Sequence, residues 1–239
     1  WSSDVCSSDL GSVGTQTLSV VRHHNDLFKI TALAANNNDD LLEQQINEFQ
    51  PKIAVLYNKN AAERLKSRYT GKTKILSGDD GLIAAAVSDD TDTVVTSLMG
   101  FAGLKPTLAA IDAGKNIALA NKETLVVAGE IVMSLAKEKG VDILPIDSEH
   151  CAIFQCLQGN NKDDVNKLLL TASGGPFRGK KTAELKNVTV AECLSHPTWS
   201  MGKKITVDSA SLVNKGLEII EAHWLYNIPY DKIKVVVHP

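Results

Sequence analysis

The sequence predicts an α/β protein: a doubly wound parallel sheet followed by a smaller α+β domain. Three observations carry this. Short apolar, β-branched runs alternate with helical stretches from residue 12 to about residue 146. The runs are continuously apolar rather than alternating, as strands covered on both faces are. Past Pro145 the rhythm breaks, and loops rich in Ser, His and Gly take over.

The first helix is expected over residues 12–24, with Val13, Thr17, Val20 and Val21 near one face. Strands follow at Phe28–Ala35, 53–57, 74–76, 93–97, 116–120 and 141–145. Between them the helical period appears at Asp39–Phe49, 61–69, 79–88, 104–113 and Glu123–Lys139. The second domain, 147–239, opens with a helix at 150–157, a strand at 167–171 and a Gly/Lys-rich loop at 174–181. A short helix at 189–195, a Pro/Trp/Gly loop at 196–202 and a long helix at 211–226 complete it.

Both ends depart from this pattern. Residues 1–10 (WSSDVCSSDL) show neither helical nor strand period and read like a translated sequencing adapter, so an extraneous leader is expected there. The run Val235-Val236-Val237 looks like a strand without its neighbours, which predicts that a C-terminal portion of the second domain is missing.

Composition narrows the function. The chain has 239 residues, 44% of them apolar and 22% charged, enough for a substantial core and for one or two domains. With 25 Lys+Arg against 28 Asp+Glu the net charge is -3, so no general attraction to nucleic acid is expected. No apolar run has the length of a membrane span. Cys6, Cys151, Cys156 and Cys193 lack zinc or redox spacing and read as reduced, mostly buried thiols of a cytosol-like compartment.

Several clusters carry chemistry. Gly11-Ser12-Val13-Gly14 opens the first helix, where small residues let backbone N–H groups approach a phosphate; a plain helix start has the same composition. Asn36-Asn37-Asn38 ends the second strand where NAD-specific domains place an acid, which leans toward NADP. Asn121-Lys122-Glu123 follows a buried strand at the carboxyl edge of the sheet, where Lys122 is suited to polarise a carbonyl or hold a phosphate.

Asp147 and Glu149 lie two apart beyond the strand ending at Pro145, and in an extended segment they would converge. Converging carboxylates repel unless a cation or a shared proton relieves them, and an all-oxygen set suits Mg2+ or Mn2+ over zinc; a solvated acidic turn has the same composition. On the long helix, Val213, Leu217, Ile220 and Trp224 form an apolar stripe expected to face the core. Ser211, Asn214, Lys215 and Glu218 share the opposite face and combine an acid, a base, an amide and a hydroxyl. Ser173-Gly174-Gly175-Pro176 has the makings of an anion nest. His196 to Gly202, with Trp199 between them, suits a lid that expels water. His23, His24 and His223 read as helix-surface residues, and His150 as a capping or packing residue.

Taken in order, these motifs resemble the 1-deoxy-D-xylulose 5-phosphate reductoisomerases. The resemblance runs from Gly11 to Pro239. It rests on Leu119-Ala120-Asn121-Lys122-Glu123, Asp147-Ser148-Glu149-His150, Ser173-Gly174-Gly175-Pro176-Phe177, His196-Pro197 with Trp199-Ser200-Met201-Gly202, and Val207-Asp208-Ser209 leading to Asn214-Lys215-Gly216-Leu217-Glu218. It departs at Leu10, where the family's glycine-rich loop has threonine, and in lacking the C-terminal helical domain.

The resemblance implies a Rossmann-like domain at 11–146, with Gly11, Ser12, Val13, Asn36, Asn37, Asn38, Asn121, Glu123 and Gly202 contacting NADPH. It implies that Asp147, Glu149 and Glu218 bind Mg2+ or Mn2+, and that Lys122, Ser148, Glu149, Ser173, His196, Ser209, Asn214, Lys215 and Glu218 hold a sugar phosphate. Lys122, Asp147, Glu149, His196 and Glu218 would be catalytic. The implied reaction is a metal-assisted retro-aldol/aldol rearrangement of 1-deoxy-D-xylulose 5-phosphate, then reduction by NADPH to 2-C-methyl-D-erythritol 4-phosphate. A homodimer in the bacterial cytoplasm is implied too, or a plastid enzyme. The rivals are a metal-independent NADP-dependent dehydrogenase of another phosphorylated substrate, which metal dependence discriminates, and a non-catalytic nucleotide-binding fragment, which a cooperative melt raised by NADPH argues against.

Overall fold

The structure, a computed structural model, describes residues 3–8, 12–98, 100–199 and 201–238. The chain divides into two compact units, Trp1–Ile146 and Asp147–Pro239.

The first unit alternates strand and helix throughout. Its elements are β1 (Ser3–Ser8), α1 (Ser12–His23), β2 (Phe28–Ala35), α2 (Asp39–Phe49), β3 (Ile53–Leu56), α3 (Lys59–Arg68), β4 (Lys74–Ser77) and α4 (Gly78–Ala86), followed by β5 (Thr93–Thr96), α5 (Leu104–Asp112), β6 (Asn116–Leu119), α6 (Glu123–Lys139) and β7 (Ile143–Pro145). The strands form one parallel sheet in the order β4-β3-β2-β1-β5-β6-β7. This is the doubly wound, Rossmann-like class that the alternation predicts. Strand order reverses between β1 and β5, which puts the crevice where such sheets bind ligands at the carboxyl ends of the central strands.

Residues 1–10 do not lack regular structure as expected: β1 lies within them and pairs with both β2 and β5. Its six residues, Ser-Asp-Val-Cys-Ser-Ser, hold too few apolar side chains to show a strand period. What they fill is the slot between two strongly apolar neighbours. In α1 Gly14, Leu18 and Val21 are buried, whereas Val20 is exposed.

Elsewhere the local chemistry is conventional. Ile30, Leu33, Leu42, Ile46, Leu56 and Leu65 interlock between β2, β3 and the helices over them. Asn38 and Asn58 cap α2 and α3 by accepting N–H groups of the first turns, at 3.0 Å from Leu41 and 2.9 Å from Asn60. Buried Asp39 is gripped by Arg64 at 2.6 Å and Arg68 at 2.7 Å, tying α2 to α3.

The second unit contains α7 (Ser148–Leu157), β8 (Leu168–Ala172), α8 (Val190–Cys193), α9 (Lys203–Ala210), α10 (Val213–Tyr226) and β9 (Ile233–Val237). The final run has a neighbour after all, since β9 pairs in parallel with β8 from Leu168↔Ile233 to Ala172↔Val237. The apolar core is Leu168, Ala222, Tyr226, Ile228 and Ile233, with Ile153, Phe154 and Ile219 against it.

The helix expected over 211–226 begins at Val213, and a separate helix that the sequence did not suggest, α9, precedes it. Leu212 takes a left-handed backbone (φ 60°), so α9 ends before it and α10 starts after it. Ser211 belongs to the end of α9, where its hydroxyl donates to the Val207 carbonyl at 3.0 Å. The buried face of α10 is also not the predicted stripe. Lys215, Glu218, Glu221, Ala222 and Tyr226 are buried, while Val213 is exposed and Leu217, Ile220 and Trp224 are half-buried. Two smaller corrections follow from exposure. Cys156 is exposed and Cys151 and Cys193 half-buried, because α7 and α8 turn these thiols outward. His223 is no plain surface residue, since its ring stacks on Tyr230 and its Nδ1 donates to the Ile228 carbonyl at 2.8 Å.

Candidate active site

In the second unit, Asp147 and Glu149 do not converge along an extended segment. Helix α7 starts at Ser148, so Asp147 is its N-cap and Glu149 lies in its first turn. A helix N-terminus favours carboxylates, and it turns both toward one point. Glu218 arrives from the buried face of α10. Ligand oxygens of Asp147, Glu149 and Glu218 lie within 4.8 Å of one another. Three carboxylates at this spacing, with no nitrogen or sulfur ligand among them, fit a hard divalent cation.

Lys215 closes the cluster. Its ammonium donates to Glu149 Oε1 at 2.9 Å, to the Thr171 carbonyl at 2.5 Å and to Glu218 Oε2. Asn214 donates its amide to the other oxygen of Glu218 at 2.5 Å, and Ser148 its hydroxyl to Glu149 Oε2 at 2.6 Å. Burial alone would push the Glu149 carboxyl up. Hydrogen bonds from Ser148 and Lys215, with the lysine's charge, outweigh it and hold Glu149 below its ordinary value of 4.5.

Behind the carboxylates lies His150, wholly buried and stacked against Tyr226. Its Nε2 donates to the Glu218 carbonyl at 2.9 Å, leaving Nδ1 facing Glu221 at 3.5 Å and Asp147 at 3.8 Å. It packs, as the sequence predicts. Tyr226 donates its hydroxyl to the His150 carbonyl at 2.5 Å, and burial, reinforced by the charge of Glu221, holds its phenol well above the usual range.

Beside the carboxylates a pocket is lined by Glu149, Ala172, Ser173, Gly174, Ser209, Leu212, Asn214 and Lys215. Gly174 and Gly175 both have positive φ (83° and 69°), and a Cβ on Gly175 would stand 2.6 Å from the Ser209 carbonyl oxygen. Only glycine lets this turn pack on the end of α9. Ser173 Oγ lies 3.1 Å from His196 Nε2, while His196 Nδ1 accepts the Thr198 and Trp199 N–H groups at 3.1 and 3.0 Å. The network therefore assigns the imidazole proton to Nε2. Trp199 stands 62% exposed on the following loop, and exposed Gly202 precedes α9.

In the first unit, Asn36, Asn37 and Asn38 are exposed beyond the end of β2. Val13 is half-buried in the first turn of α1, next to Ser12, and Gly11 lies outside the described residues. Asn121 and Lys122 are buried after β6, with Glu123 opening α6. The Asn121 amide is committed to the protein itself. It donates to the Leu98 carbonyl and, at 2.7 Å, to that of Gly100, and accepts the Thr124 N–H at 3.1 Å. It thus pins the loop after β5 to the start of α6.

Three participants escaped the sequence reading. Thr171 acts through its backbone carbonyl, which no side chain betrays. Arg178 donates to the Ser173 carbonyl at 2.9 Å and braces the glycine turn. Glu221, three residues after Glu218, shares its buried face, a spacing that a helical reading of the acids alone would have flagged.

The sequence model of the 1-deoxy-D-xylulose 5-phosphate reductoisomerases matches residues 9–129, and that of the family's C-terminal domain matches residues 143–226. This chain is a member of that family. The reductoisomerase of Geobacillus sp. (strain WCH70) is 57% identical over 228 residues, covering 95% of this chain and 60% of its own length. That of Lachnoclostridium phytofermentans is 56% identical over 230 residues, covering 96% and 59%. The chain thus spans about 60% of the length of these relatives. Among solved structures, a DOX-P reductoisomerase in complex with NADPH, fosmidomycin and magnesium superposes with a TM-score of 0.92 at 43% identity, over 100% of this chain and 62% of that one. The Zymomonas mobilis enzyme in complex with NADPH gives 0.92 at 40% identity, over 100% and 62%.

Proposed function

We propose that this chain carries the NADPH- and divalent-metal-dependent conversion of 1-deoxy-D-xylulose 5-phosphate to 2-C-methyl-D-erythritol 4-phosphate, a step of non-mevalonate isoprenoid biosynthesis. The observation that carries the reading is the carboxylate trio beside the Ser173–Ser209–Asn214–Lys215 pocket in a member of this family. Asp147, Glu149 and Glu218 would hold Mg2+ or Mn2+, which supplies Lewis-acid stabilisation of negative charge on the substrate's oxygens. The first unit would bind NADPH, the hydride source, at the carboxyl edge of its sheet, through Gly11, Ser12, Val13, Asn36, Asn37, Asn38, Asn121 and Glu123. For Asn121 the contribution is then its backbone and the loop it pins.

The chain's own residues would bind and orient. Ser173, Ser209, Asn214 and Lys215 hold the phosphate, whose remote binding energy fixes the reacting carbons. His196 donates through Nε2, by way of Ser173 or directly, to a substrate oxygen. Trp199 and its loop exclude water on closing. Ser148 keeps Glu149 ionised, and Lys122 retains the substrate role that the resemblance implies. A homodimer and a cytoplasmic location belong to the same proposal, and the bacterial origin of the homologues favours the cytoplasm over a plastid.

The test is NADPH oxidation with 1-deoxy-D-xylulose 5-phosphate, with and without Mg2+ or Mn2+, beside a full-length reductoisomerase. Oxidation that requires metal, and falls at least ~100-fold in Glu218→Gln with NADPH affinity unchanged, is the expected outcome. Turnover by Glu218→Gln equal to wild type at limiting Mg2+ would reject the metal role.

A further inference from the structure

Lys215 is asked to do two things at once. It lines the phosphate pocket, yet its ammonium has three N–H donors and all three are taken, by Glu149, Glu218 and the Thr171 carbonyl. As arranged, it has no donor to offer a phosphate. Two of its three acceptors also belong to the carboxylate trio.

Resting on the metal reading above, we propose that Lys215 is an exchangeable counter-ion. It neutralises Glu149 and Glu218 until a divalent cation replaces it, and it is then released into the adjoining pocket as the phosphate-binding cation. A lone ammonium compensates one of three clustered negative charges, whereas a divalent ion compensates two and ligates all three carboxylates. The lysine's flexible stem lets it rotate away while its backbone stays fixed in α10. Asn214, which holds Glu218 through its other oxygen, keeps that carboxylate aimed during the exchange. Metal and phosphate ester then bind cooperatively, and the coupling is reciprocal.

Calorimetric titration of the full chain with Mg2+ and with inorganic phosphate tests this. In wild type each ligand should tighten the other at least about fivefold. In Lys215→Met, Mg2+ should bind at least about fivefold more tightly than in wild type, and phosphate affinity should lose its response to Mg2+. Lys215→Arg keeps the charge and a fold in which Glu149 and Glu218 stay paired, so its Mg2+ affinity should stay at or below that of wild type. Crystals of wild type with Mg2+ should show the Lys215 ammonium more than about 4 Å from both carboxylates. Equal Mg2+ affinity in wild type and Lys215→Met, or a lysine still paired in the Mg2+ crystals, would overturn the exchange while leaving the metal site intact. Absence of Mg2+ binding to wild type would remove the metal reading itself, and the exchange with it.

Discussion

At Gly175 a backbone φ of 69° coincides with a site where a Cβ would stand 2.6 Å from the Ser209 carbonyl oxygen. The left-handed conformation alone costs an L-residue about 1–2 kcal/mol, and the contact adds to it. Gly175→Ala should therefore destabilise the second unit by at least ~2 kcal/mol in urea denaturation, and raise KM for the phosphorylated substrate more than it lowers kcat. The glycine pair was legible in the sequence as an anion-binding turn. Its dependence on Ser209 was not, because residues 34 apart in the chain meet only once α9 is in place. Asn121 shows the same limit. Its position at the sheet edge was readable, but an amide committed to the Leu98 and Gly100 carbonyls looks identical in sequence to one reaching for a cofactor.

Between elements, Asp39 is the clearest coupling: one buried carboxylate on α2 held by Arg64 and Arg68 of α3. The Arg64 hydrogen bond, then that of Arg68, hold its carboxyl far below the ordinary 3.8. A group depressed in the folded state contributes stability that is fully present above its unfolded pKa and lost as pH falls through the folded value. The melting-temperature gap between wild type and Asp39→Asn should therefore be constant above about pH 5 and close progressively as pH falls from 4 toward 2. A gap unchanged down to pH 2 would show that the arginines contribute packing rather than charge. Strands β2, β3, β5 and β6 were legible because their apolar runs are continuous. Strand β1 was not, because four of its six residues are Ser or Asp. The inward face of α10 was misread because Lys215 pairs with Glu218 and Glu221 faces the buried ring of His150, and periodicity counts such residues as surface.

Across the molecule, the doubly wound class was readable from alternation alone, and on the proposed reading each unit binds its own ligand. Hydrogen exchange should separate the two. NADPH is expected to slow exchange in the segments after β2, β5 and β6, and Mg2+ that of α7 and α10. Either ligand at a hundred times its Kd stabilises the folded state by about 2.7 kcal/mol. Protection by Mg2+ confined to the first unit would refute the assignment of the carboxylates. The rotation of α10 has a broader consequence. The stripe Val213, Leu217, Ile220, Trp224 and the buried pair Lys215 and Glu218 lie on roughly opposite sides of one helix, with buried Glu221 at the border beside Leu217. Replacing a buried ionic cluster with well-packed apolar side chains is often neutral or stabilising. Selection for thermal endurance and selection for chemistry therefore act on the same few positions of α10 in opposite directions, and a lineage freed from the second would be expected to lose its lysine and glutamates there first.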